Sequence, residues 1–128
     1  MGKLARKIYF YYLNPETFPS VSVTANRCEL DCAHCGGHYI EDMIPIDEFV
    51  PGPKTRGCLI SGGCGSDGTV PLPFEKIRAL KEKKLILNVH TGFVNKETAE
   101  KLAGLANCVS VDVVGSRDVV REVYRIDK

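Results

Sequence analysis

The segment CELDCAHC places Cys28, Cys32 and Cys35 within eight residues, separated by three residues and then two. Thiols so closely spaced are poorly explained by packing, and two metal chemistries compete for them. A structural zinc ion takes four closed ligands, and Cys28, Cys32, Cys35 and His38 would supply a Cys3His set. A cubane [4Fe–4S] cluster has four irons to ligate. Three cysteines leave one iron open, and an open iron binds and activates a ligand. Two features favour the cluster. The cysteines follow a predicted strand, where a catalytic site of an α/β protein sits. Gly36 and Gly37 let the backbone wrap closely around a bulky inorganic core. A third reading is an electron carrier or redox sensor whose fourth iron is closed by Cys64.

Other residues invite chemistry more weakly. Cys58 and Cys108 fall in apolar runs and read as small core hydrophobes. Cys64 ends the turn SGGC and reads as a site-lining residue without a catalytic role. Asn88 and His90 are two apart near the end of a predicted strand, so they share one face. His90 either meets a ligand or donates to backbone. Asp112 lies in the apolar run CVSVDVV, where a lone carboxylate is costly to bury, so a polar partner is expected. Arg121 and Arg125 read as solvated helix residues, and His38 as a surface histidine.

The elements that position these residues alternate between strand and helix. KIYFYY at 7–12 reads as a lead-in strand and FPSVSVT at 18–24 as the first main strand. HYIEDMIPIDEFV is weakly helical and broken by Pro45, and PGPKTRG at 51–57 is a loop. GCLIS at 57–61 is a buried strand, followed by a helix starting near Pro73 with Phe74, Ile77 and Leu80 on one face. LILNVH at 85–90 is the next strand. Asn95 caps a helix whose apolar stripe is Ala99, Leu102, Ala103 and Ala106. CVSVDVV at 108–114 is the last strand, and Ser116 caps a helix that turns Val119, Val120, Val123 and Tyr124 inward. Strands apolar on both faces imply a parallel sheet covered by helices, with right-handed crossovers. Every unusual group then sits at a strand C-terminus, where ligand sites of parallel α/β sheets lie.

The chain of 128 residues is long enough for one domain, taken as 1–128. Its formal charge of +1 leaves no electrostatic footprint for nucleic acid or an anionic membrane. No apolar run reaches membrane-spanning length. Without a secretory signal the expected location is the cytoplasm, where six cysteines point to metal or redox chemistry rather than disulfides.

CxxxCxxC after an N-terminal strand resembles the signature of the radical S-adenosylmethionine (radical SAM) superfamily. SVTANRCELDCAHCGGHY, LISGGCGSDGTVPL and NVHTG together are similar to members near the biotin synthase and lipoyl synthase branch. The likeness covers about residues 18–124. It implies a partial (βα) barrel of about four parallel units, truncated from a six-unit core or completed by a second chain. Cys28, Cys32 and Cys35 would hold the cluster, whose open iron would chelate the amino and carboxylate groups of SAM. His34 stands where the family places an aromatic near the adenine. Gly62 and Gly63 match the family's Gly-Gly-Glu-like turn, which holds the methionine amino group, and Cys64 replaces the acidic residue. Asn88 and His90 would face SAM or substrate, and Asp112 would meet a ribose hydroxyl or a structural partner. The implied reaction is reductive cleavage of SAM to a 5′-deoxyadenosyl radical that removes hydrogen from a small molecule. Its electron comes from a reduced donor such as ferredoxin or flavodoxin.

Overall fold

The computed structural model describes residues 14–127, so the lead-in strand expected at 7–12 lies outside the described residues. The sheet has five parallel strands in the order β2-β1-β3-β4-β5. These are β1 (Ser20–Ser22), β2 (Ile44–Pro45), β3 (Gly57–Ser61), β4 (Ile86–His90) and β5 (Cys108–Ser110). Helices α1 (Phe74–Glu82), α2 (Lys96–Leu102) and α3 (Arg117–Glu122) follow β3, β4 and β5.

The register sorts the side chains by face. Val21, Ile60, Val89 and Val109 align across β1, β3, β4 and β5, with Cys58 beside Leu87. All but Val109 are fully buried. They form the core with Ile77 and Leu80 of α1, Leu102 of α2, and Leu85 and Leu105. Burial pushes the Cys58 thiol up to about 11, so it behaves as the small hydrophobe expected. At Gly57 no side chain fits, because a Cβ would stand 2.2 Å from the Ile86 carbonyl oxygen.

The opposite face is different. Ser22 pairs with Ser61 and His90 pairs with Ser110, with Ser61 and His90 themselves hydrogen-bonded. A polar row therefore crosses four strands at their C-terminal ends.

Helix starts follow local chemistry. The side chain of Asn95 accepts from the Thr98 N–H at 2.8 Å, and that of Ser116 accepts from the Val119 N–H at 3.3 Å. Both caps satisfy donors that the first helical turn leaves free. Pro73 stands at the cap position, one residue before the first helical residue.

Several expectations need correction. The region after the cysteines is not a broken helix. It holds a 3₁₀ turn at His38–Ile40 and then β2, an added edge strand pairing Ile44 with Val21. Pro45 is tolerated there because an edge strand has one side of its ladder free. The first main strand shrinks to Ser20–Ser22 and the last to Cys108–Ser110. β5 is an edge, so Cys108 is exposed rather than buried, and Val113 is 92% exposed. On α2 the buried residue is Leu102, with Leu105 just beyond, while Ala99 and Ala103 face solvent. No residue of α3 is buried and Val119 is exposed, because α3 follows β5, the edge strand among the described residues; Ile126 is the anchor instead. Among the described residues no helix is long and apolar enough to cross a membrane.

Candidate functional site

The loop that leaves β1 and returns as β2 carries the cysteines over the C-terminal ends of β3 and β4. Its backbone is tied down at both ends. The Gly63 N–H donates to Thr24 Oγ1 at 2.8 Å, and the Glu29 N–H donates to the Cys64 carbonyl at 2.9 Å. The Ala33 N–H donates to the Val123 carbonyl at 2.8 Å, and Arg125 forms an ion pair with Asp31. The segment after α3 thus clamps the loop from the far side. Gly36 and Gly37 then turn it with φ of 54° and 79°, a region that costs other residues strain.

This arrangement encloses a cavity of about 290 Å³. Cys28, Cys32, Cys35 and Cys64 line it with Leu30 and His34. Tyr39, His90, Asp112 and Tyr124 complete its wall. Among the described residues no lysine or arginine lines it. Burial raises the Cys32 pKa, and negative charge on Cys35 and Cys28 raises it further. Burial pushes the Cys64 thiol up to about 12, with Cys28 and Asp112 adding to the effect. Thiols crowded in this way ionise together only if a cationic centre compensates them. The Gly37 N–H points at Cys35 Sγ, 3.5 Å away, in the manner of a donor to a ligating thiolate.

A zinc ion and a cubane cluster ask for different arrangements of donors. A zinc ion needs its donors at about 2.0–2.3 Å from one point. Among the described residues no three His, Cys, Asp or Glu side chains converge closely enough to hold a single ion. His38, the fourth donor of a Cys3His site, pairs with Glu41 at 3.2 Å and its side chain is 82% exposed. A cubane attaches its thiolates to separate irons, so it asks for thiols around one cavity and not around one point. Cys28, Cys32 and Cys35 meet the second requirement.

The glycine turn is built for close approach, but to the protein's own loop. A Cβ on Gly63 would lie 2.0 Å from the Arg27 carbonyl oxygen, and one on Gly62 3.0 Å from Thr24 Oγ1. Neither glycine lines the cysteine cavity; Gly63 lines a wider groove of about 760 Å³ with Thr24 and Arg27. Asn88 shares the polar face with His90 as parity requires, yet it lies one row lower and accepts from Ser110 Oγ at 3.1 Å. It does not line the cavity.

His90 and Asp112 do. His90 Nε2 stands 3.2 Å from Asp112 Oδ1, and Nδ1 stands 3.1 Å from Ser61 Oγ. The polar partner expected for Asp112 is therefore His90, and Asp112 lies past the end of β5 rather than inside it. Ser61 Oγ is 3.5 Å from the Tyr39 hydroxyl, which donates to the Gly62 carbonyl. His34 packs its ring against Tyr124 with centroids 5.1 Å apart, and Tyr124 packs on Phe93. Burial raises the pKa of both tyrosines, so both hydroxyls hold their protons.

Sequence reasoning missed Tyr39 and misplaced Tyr124 as an inward-facing residue of α3. The signal for Tyr39 was present as an aromatic directly after GGH, but its partners are 22 and 23 residues away. No protein-family model, curated protein or solved structure matches the chain.

Proposed function

We propose that the chain is a partial radical SAM core. In this reading Cys28, Cys32 and Cys35 hold a [4Fe–4S] cluster, and its open iron binds S-adenosylmethionine for radical chemistry on a small molecule. The observation that carries the reading is the meeting of the three thiols on one cavity wall at the C-terminal end of a parallel sheet. When bound and reduced, such a cluster supplies the electron that splits SAM into methionine and a 5′-deoxyadenosyl radical.

The protein's own residues bind, orient and shield. The clamp from Val123 to Arg125 fixes the cysteine loop. Leu30 and Tyr124 keep part of the wall apolar, which limits water at a reactive centre. His34, tilted against Tyr124, presents a ring for an adenine to meet. Asp112 offers a carboxylate to a hydroxyl or a cationic group. Among the described residues β5 has one unpaired side, an edge that a further βα unit of a barrel would cover. Reduced ferredoxin or flavodoxin would supply the electron.

One observation favours a second reading. Cys64 lines the same cavity as the other three thiols, so a closed four-cysteine cluster would make the protein an electron carrier. The two readings separate on turnover. Anaerobically reconstituted protein, reduced with dithionite in the presence of SAM, is expected to release 5′-deoxyadenosine. A cluster-loaded chain that leaves SAM intact contradicts the radical SAM reading.

A further inference from the structure

We infer that Tyr39, Ser61, His90 and Asp112 form a proton relay serving the cysteine-lined cavity. Tyr39 is the group that meets the ligand, His90 holds the proton, and Ser61 and Asp112 are positioning residues. The inference deepens the proposed function by naming a ligand class, a molecule with an ionisable O–H, N–H or S–H. It rests on that reading only for what the ligand is.

The four side chains come from distant parts of the chain: the 3₁₀ turn, the end of β3, the end of β4, and the segment after β5. The links are 3.5 Å from Tyr39 to Ser61, 3.1 Å from Ser61 to His90 Nδ1, and 3.2 Å from His90 Nε2 to Asp112. Ser61 is 1% exposed, so it cannot attack a ligand as a nucleophile. Its place in the middle suits transfer and not acyl chemistry.

The network accommodates both charge states of the ring. With His90 neutral, Nε2–H donates to Asp112 and the Ser61 hydroxyl donates to Nδ1. With His90 charged, Nδ1–H donates to Ser61 Oγ and the Ser61 hydroxyl turns to Tyr39. Among the described residues no buried side-chain polar atom lacks a partner, and the ring keeps a hydrogen bond at each nitrogen in either state. Asp112 offsets the imidazolium charge, and the other groups facing the cavity are thiols, His34 and tyrosines.

The ligand X–H gives its proton to Tyr39 Oη as the Tyr39 hydroxyl turns from the Gly62 carbonyl and its proton passes to Ser61 Oγ. The Ser61 proton passes to His90 Nδ1, leaving X⁻ and an imidazolium paired with Asp112. The reverse sequence protonates a product.

The test is nuclear magnetic resonance of the full chain labelled with ¹⁵N-histidine, without added iron or SAM, with the His90 signals assigned by His90→Gln. The neutral ring is expected to carry its proton on Nε2. Tyr39→Phe should slow exchange between neutral and charged rings at mid-titration by about tenfold or more. Ser61→Ala, a second variant should Tyr39→Phe fail to fold, should slow it equally. Asp112→Asn should change the tautomer balance. A neutral ring protonated on Nδ1, or exchange at the wild-type rate in either slowed variant, overturns the relay. Because no cluster is present, a failure here leaves the radical SAM reading standing, and the converse also holds.

Discussion

Gly63→Ala is expected to cost about 3 kcal/mol of folding stability and to abolish iron uptake. The added methyl would sit 2.0 Å from the Arg27 carbonyl oxygen and 2.6 Å from Cys28 Cα. Both obstacles are backbone, so no side-chain rotation relieves the overlap. The turn and the cysteine loop must separate, breaking the Gly63–Thr24 and Glu29–Cys64 hydrogen bonds that hold Cys28 against the sheet. Urea midpoints of the two proteins measure the first effect, and iron content after reconstitution the second. Gly115→Ala is the control. Nothing lies within 4 Å of its Cβ position and its φ is not in the left-handed region, so a change within about 0.5 kcal/mol is expected. A Gly63 variant as stable as that control would mean that the turn does not position the cysteines.

The second large effect concerns the thiols. Cys32→Ser should lower bound iron and the visible absorption of the cluster by about tenfold or more, as should the same change at Cys28 or Cys35. A serine hydroxyl of similar size remains protonated and does not replace a soft thiolate donor. On the proposed reading Cys64→Ser should leave the cluster in place, the half-buried Cys64 thiol lining the wall beside the three ligands. Loss of the cluster in Cys64→Ser would favour the four-cysteine electron carrier. Loss in none of the four would remove the cysteines from the account altogether.

What the sequence made legible followed from how local each cause is. GCLIS was found to the residue, because the four residues between Gly57 and the Gly-Gly turn are too few for a helix and small or apolar enough for a buried strand. Asn95 and Ser116 were legible as caps because a cap bonds only three residues ahead. β2 was hidden because Ile44–Pro45 is a strand only by virtue of β1, more than twenty residues earlier. The exposure of Cys108, Val113 and Val119 was hidden for the same reason. Apolar patterning reports what a residue tolerates, and burial depends on what covers it.

The site divides along the same line. Cys28, Cys32 and Cys35 announce themselves by spacing, and all three line one cavity. The demand for a polar partner at Asp112 followed from the cost of burying a carboxylate, but His90 as that partner required the sheet register. Gly62 and Gly63 were recognised as close-approach positions, while the neighbour they approach, the loop at Thr24 to Cys28, was visible only in three dimensions. Tyr39 escaped notice because its role depends on Ser61 and Gly62, brought beneath it by the crossover from β1 to β2.

The central claim is an iron–sulfur cluster on Cys28, Cys32 and Cys35 with an iron open to SAM. Low-temperature electron paramagnetic resonance of the anaerobically reconstituted, reduced protein tests it most directly. The account predicts a [4Fe–4S]⁺ signal whose shape changes when SAM is added. A cluster signal indifferent to SAM, or a protein that takes up zinc and forms no cluster, would contradict it.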